Sequence, residues 1–178
     1  MSAPKRPSSL PGVGTPEKAV PTAAVRVVVE EEWEALKQVR LAALQDTPEA
    51  YWDSYEEVAA WPDERWKLWA ASGAAVIAWV GDKPSGLAAG IILDGEHHMI
   101  SMWLAPDARG HGLAEALVHG VADWARRDGA TVLTLWVVDG NESGRRLYER
   151  IGFEPTGDTQ PFPEGDPRTE SKMAMRLT

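Results

Sequence analysis

The run Arg109-Gly110-His111-Gly112-Leu113-Ala114 constrains the fold more than any other stretch of this chain. It follows the strand-like Ile100–Leu104 and opens a helical run, Leu113–Arg127. Along that helix Leu113, Leu117, Val121 and Trp124 share one face, while Glu115, His119, Asp123 and Arg126 share the other. A strand that enters a helix through a two-glycine turn leaves the first N–H groups of the helix without intrahelical acceptors. The helix dipole adds partial positive charge there, and residues without a Cβ admit both a close ligand and φ > 0. The turn therefore reads as an anion site suited to a phosphorylated cofactor.

Other phosphate motifs fit less well. A dinucleotide fingerprint needs a third glycine where Glu115 stands and an acidic residue at the end of the next strand, whereas Asp128 falls at the end of the helix. The chain has no Gly-Lys-Ser/Thr, which excludes a P-loop. A plain glycine turn with no ligand is the remaining alternative.

Two further segments extend the pattern. Asn141 opens a second short helix, and Tyr148 follows it by seven residues, nearly two helical turns, on the same face. Gly152 then suits a left-handed helix cap before the chain re-enters a strand at Phe153. In this order Arg109-x-x-Gly112-x-Ala114, Asn141 and Tyr148-Glu-Arg-Ile-Gly-Phe153 resemble the pyrophosphate motif and the Tyr-x-x-x-Gly-Phe segment of the GNAT superfamily of acyl-CoA-dependent N-acetyltransferases. The resemblance implies an α/β fold with a mixed, mostly antiparallel central sheet flanked by helices. It also implies acetyl-CoA as acyl donor, with no metal.

The element pattern agrees with that layout. Residues 1–24 hold five of the thirteen prolines and are expected to form a disordered or loosely attached tail, with the domain over 25–178. Expected elements are a strand at Val25–Val29, an amphipathic helix at Glu31–Leu44 and a further helical start at Thr47-Pro48. Pro62-Asp63 should divide the aromatic region 51–69 into two helices. Strands follow at Ala74–Val80, Leu87–Leu93 and His97–Leu104, with 81–86 as a turn. The later strands are Thr131–Val138, Glu154–Phe162 and Ser171–Leu177.

Composition narrows the class. The chain of 178 residues suits one domain, has no cysteine, and carries a net charge of −9. That charge argues against nucleic acid as partner and is compatible with a cationic amine. No apolar run reaches the ~18 residues of a membrane span, and no apolar core follows the basic N-terminal residues as a secretory signal requires. The expectation is a cytoplasmic protein without membrane association. Similar proteins commonly form homodimers.

Transfer of an acetyl group to an amine requires a held donor, a polarised carbonyl, a deprotonated amine and a protonated leaving thiolate. The resemblance assigns Arg109, Gly110, His111, Gly112, Leu113 and Ala114 to the pyrophosphate. It assigns Met102, Trp103 and Leu104 to the strand beside the pantetheine. The Leu104 N–H is the candidate for the thioester oxygen, provided that a bulge frees it from its ladder. Tyr148 is the candidate acid; its alternative role is packing under the sheet. Asn141 has two compatible roles, cofactor contact and helix cap.

His98 stands where similar proteins often place a glutamate base, and imidazole can serve there near neutral pH. The alternative is a hairpin-end histidine facing solvent. Strict alternation would put His98, Ile100, Met102 and Leu104 on one face of the strand. Some relatives instead carry a glutamate five positions before the asparagine, a place occupied here by Trp136; Glu56 and Glu57 are the remaining candidates. Trp52, Tyr55 and Trp61 form either a cage over a small-molecule or peptide amine, or part of the core. A non-catalytic acyl-CoA-binding module is the rival to an enzyme.

Overall fold

The structure, a computed structural model, describes residues 21–163 and 165–178. The expected N-terminal tail lies almost wholly outside the described residues. The first strand, β1 (Ala23–Val27), already includes residues 23 and 24 and begins two residues earlier than its β-branched run indicates. Then come α1 (Trp33–Asp46), α2 (Tyr55–Ala59), α3 (Asp63–Ala71), and the meander β2 (Ala75–Val80), β3 (Lys83–Leu93) and β4 (Glu96–Leu104). The second half comprises α4 (Leu113–Arg127), β5 (Val132–Val138), α5 (Glu142–Ile151), β6 (Glu154–Pro161) and β7 (Thr169–Arg176).

The strands make one sheet in the order β1-β2-β3-β4-β5-β7-β6. Every neighbouring pair is antiparallel except β4 with β5. The expected mixed, mostly antiparallel α/β sheet is thus the observed one. Two expectations fail locally. Thr47-Pro48 starts only a single 3-10 turn, Pro48–Ala50. Residues 83–86 belong to β3, because Pro84 falls at a register shift opposite Ala78 and Trp79, where a missing N–H costs no ladder bond.

Helix α4 covers one face of the sheet at close range. A Cβ on its Gly120 would lie 2.8 Å from Val76, and one on Gly90 of β3 would lie 2.2 Å from the Trp124 ring. The face predicted to be apolar is the buried one, with Leu113, Leu117 and Val121 in the core. Helix α1 covers the opposite face of β3 and β4, burying Leu36, Val39, Ala43 and Leu44. Pro62 does divide the aromatic region, standing as the N-cap of α3.

The sheet is not continuous. β4 and β5 pair only at His98 with Thr134 and Met99 with Leu135, then diverge. Just beyond that point β4 carries one extra residue: Ala89 faces Ile100 but Leu87 faces Trp103, and Ser101 takes φ 58. The extra residue reverses the alternation. His97, before the bulge, packs on Trp124 of α4, with ring centroids 5.2 Å apart. Beyond it Leu104 faces α4's side, and Trp103 reaches α1, joining the face of His98 and Ile100. Placing His98 and Leu104 on one face is therefore wrong for this strand, and the bulge is the cause.

Candidate active site

The glycine turn has the backbone form that an anion cradle requires. Gly110 and Gly112 have φ of 83 and 75, and a Cβ at either would meet nothing within 4 Å. Gly112 is the left-handed N-cap of α4, and its carbonyl accepts from Ala116 N–H at 3.1 Å. Among the described residues, no acceptor takes the N–H of Gly110, His111, Gly112, Leu113, Ala114 or Glu115. Six consecutive free donors at and before a helix N-terminus suit an anion such as a pyrophosphate.

The free edge of β4 leads to this cradle. Ala105 N–H donates to Ser85 O at 2.8 Å, so residues 103 and 105 bond to β3 while residue 104 points its polar backbone the other way. β5 has already diverged there. Leu104 N–H therefore faces the gap, as expected if a bulge were present. Its carbonyl accepts from Arg109 Nε at 2.9 Å.

The Arg109 side chain does not extend into the cradle. Its Nη2 donates to Asp46 Oδ2 at 3.0 Å, and the same oxygen accepts from Trp103 Nε1 at 2.9 Å. Arg109 thus braces the turn against β4 and α1, which leaves the backbone N–H groups as the donors available at the turn.

Tyr148 and Tyr51 lie close enough for one phenol to act on the other, and Tyr51 reaches the edge of β4. Tyr148 lies on α5, which Gly152 closes in a left-handed cap at φ 115, and its ring meets Phe153 edge-on at 5.8 Å. Burial, with the neighbouring Tyr51 phenol second, pushes the Tyr148 phenol well above its usual range. Tyr51 donates from its hydroxyl to Met102 O at 3.1 Å, on the free edge of β4. Burial pushes this phenol up to about 12. Arg40, itself buried, lies over the Tyr51 ring at 4.5 Å and bonds Asp53 at 3.0 Å; its Nε and Nη1 have no partner among the described residues. Asn141 caps α5, its side chain accepting from Gly144 N–H at 3.0 Å.

His98 sits where β4 and β5 part and is 6% exposed, so it is not a solvent-facing hairpin residue. Its Nδ1 lies 2.5 Å from the Thr134 hydroxyl and its Nε2 lies 3.5 Å from Glu96 Oε2. Burial lowers its pKa below the ordinary histidine value, against the raising influence of Glu96, so the ring is neutral at pH 7.

On the α1 side a groove of about 810 Å³ opens beside Tyr51, walled by Trp52, Tyr55, Phe162 and Arg168. Glu56 lines it as well. Glu57 does not; it bonds Ser54 in the capping box of α2. Trp61 also stays out of the groove, packing on Trp66 at 5.1 Å and Trp69 at 6.3 Å beneath the Arg65 guanidinium. Tyr51, Asp46 and Thr134 escaped the sequence reading. Each acts across more than thirty positions of chain, and no local spacing marks such partners.

Comparison with known proteins agrees with this geometry. Residues 41–153, more than half of the chain, match the acetyltransferase (GNAT) family. An uncharacterized N-acetyltransferase of Methanocaldococcus jannaschii is 34% identical over 53 residues, which cover 30% of this chain and 24% of that protein. The chain thus aligns with only about a quarter of that relative's length. Among solved structures, yncA of Salmonella typhimurium, crystallised with its cofactor acetyl-CoA, superposes with a TM-score of 0.66 at 22% identity, over 88% of this chain and 95% of that one. An N-acetyltransferase of Staphylococcus aureus Mu50 gives 0.68 at 17% identity, over 88% and 99%. The ribosomal-protein-alanine N-acetyltransferase of Brucella melitensis gives 0.66 at 23% identity, over 86% and 99%. These likenesses carry the fold, and the match over residues 41–153 carries the kinship: the chain belongs to the acetyltransferase (GNAT) family.

Proposed function

We propose that this protein is an N-acetyltransferase that moves an acetyl group from acetyl-CoA to a primary amine, either a small molecule or a peptide N-terminus, by direct attack in a ternary complex. The observation that carries this reading is the unbroken run of six N–H groups from Gly110 to Glu115 without a partner among the described residues, placed next to the free edge of β4. Acetyl-CoA supplies a thioester whose acetyl group passes to the amine and whose sulfur leaves as thiolate.

The chain's residues account for the rest. The N–H groups of residues 110–115 hold the pyrophosphate, and Leu104 N–H polarises the carbonyl oxygen in a water-poor gap. His98, neutral at pH 7, takes the ammonium proton by way of water, and the freed nitrogen pair forms the new C–N bond as the C–S bond breaks. Tyr148 gives its proton to the thiolate and regains one from solvent. Its raised pKa keeps it protonated at neutral pH, and burial that disfavours the phenolate disfavours a nearby thiolate too, which opposes the weakening of the acid. Trp52 and Tyr55, with Glu56, would receive the amine in the groove.

The occupied ring nitrogens of His98 favour one rival, a non-catalytic acyl-CoA-binding module. Calorimetry with acetyl-CoA, with NAD(H) as control, followed by thiol release across an amine library separates the two. Binding with release for one amine class establishes the enzyme and its substrate. Binding with no release across small amines and peptides supports the module, and absence of binding overturns both.

A further inference from the structure

We infer that Thr134 and Glu96 are positioning residues for His98, arranged so that the ring takes up a proton at Nδ1 with every polar atom still paired. The inference rests on the proposal that His98 is the base. The other ring nitrogen, Nε2, faces an acceptor, the Glu96 carboxylate at 3.5 Å. A lone pair directed at a carboxylate is disfavoured, so Nε2 keeps its hydrogen in both charge states and Nδ1 alone exchanges.

Nδ1 in turn faces a group that can adapt. The Thr134 hydroxyl lies 2.5 Å from Nδ1 and 3.1 Å from the His97 carbonyl, and it has one hydrogen for two acceptors. With His98 neutral, the hydroxyl donates to Nδ1. With His98 protonated, Nδ1–H donates to Thr134 Oγ1 and the hydroxyl hydrogen turns to His97 O. His98 and Thr134 are 6% and 5% exposed, so bulk water cannot substitute for this exchange of partners. One rotation of a hydroxyl thus accommodates the proton, which no apolar β-branched residue at position 134 would allow.

The charges around the ring are graded. Glu96 on β4 and Asp94 in the β3–β4 turn favour the imidazolium, while burial and Lys172 of β7 oppose it. Lys172 Nζ lies 2.5 Å from Glu96 Oε2, so it restrains the carboxylate that would otherwise act on His98 alone. The family resemblance leads to a glutamate at position 98, so this arrangement belongs to a histidine in that place. Thr134 prepares the ring, burial lowers the pH at which it takes a proton, and the Glu96–Lys172 pair adjusts that pH.

The test is NMR titration of the histidine rings in the full chain, with pH profiles of kcat/KM in parallel. Neutral His98 should show the Nε2–H form. Thr134→Val and Glu96→Gln should each lower the His98 midpoint by about one pH unit, and Lys172→Met should raise it; Thr134→Ser should leave it in place. A neutral Nδ1–H form, or a midpoint that neither Thr134→Val nor Glu96→Gln moves, overturns the inference. If the midpoints move as expected while the acid limb of kcat/KM stays fixed, the arrangement stands and His98 is not the base. If the limb follows the midpoints, both stand.

Discussion

Asp46 offers a sharp energetic test because one oxygen serves two partners. Asp46→Ala strands the Trp103 indole N–H, whose residue is 8% exposed, at a cost of about 1–3 kcal/mol. It also breaks the ion pair with Arg109, whose side chain is half-exposed, which is worth at most about 1 kcal/mol. Against these losses, Asp46 is the last residue of α1, where a negative charge opposes the helix dipole, so its removal returns about 0.5 kcal/mol. The net expectation is a loss of about 2 kcal/mol, dominated by the indole. Asp46→Asn keeps an acceptor for the indole and relieves the dipole equally, so it should cost no more than about 0.5 kcal/mol. Urea unfolding followed by Trp fluorescence reads both, as a lower midpoint with an unchanged slope. In a Trp103→Phe background there is no N–H to strand, and Asp46→Ala should then cost less than about 1 kcal/mol. Equal losses for Asn and Ala, or an Ala penalty that persists once the indole is gone, would refute the assignment.

Gly112→Ala forces a side chain onto φ 75, costing about 1–2 kcal/mol of stability, and it should weaken acetyl-CoA binding by calorimetry more than His119→Ala on the exposed face of α4 does. Gly90→Ala would press a Cβ to 2.2 Å from the Trp124 ring, for a loss of about 1–3 kcal/mol in thermal unfolding. Adding Trp124→Leu should recover part of that loss, and no recovery would argue against the close packing of α4 on β3. Tyr148→Phe should lower turnover while leaving acetyl-CoA affinity nearly unchanged; turnover equal to that of the parent chain would remove Tyr148 as the acid.

What could be read from the sequence was local. The two glycines of the turn, the Asn141 cap and the left-handed Gly152 each depend on backbone geometry within a few residues, and each takes the expected form. The bulge at Ser101 is different. A serine at φ 58 carries no spacing signal, yet it reverses the faces of β4 and moves Leu104 away from the face of His98. Trp61 illustrates the same limit from another side. Aromatic density marked residues 51–69 as special, but whether a tryptophan lines a groove or stacks on Trp66 depends on how α2 and α3 meet. Likewise the Arg109 charge was legible and its direction was not, because Asp46 lies 63 residues away.

The early parting of β4 and β5 leaves a strand edge in the middle of the sheet. Exposed strand edges at a sheet's rim recruit other chains and seed aggregation. Here the Tyr51 hydroxyl already occupies the Met102 carbonyl, and Arg109 the Leu104 carbonyl, so two of the acceptors along that edge are taken by the chain's own side chains. An incoming polypeptide would have to displace both before it could zip along β4, whereas a slender ligand that needs chiefly donors would not. The side chains that hold this edge thereby also guard it against its most hazardous competitor, another copy of a β-strand.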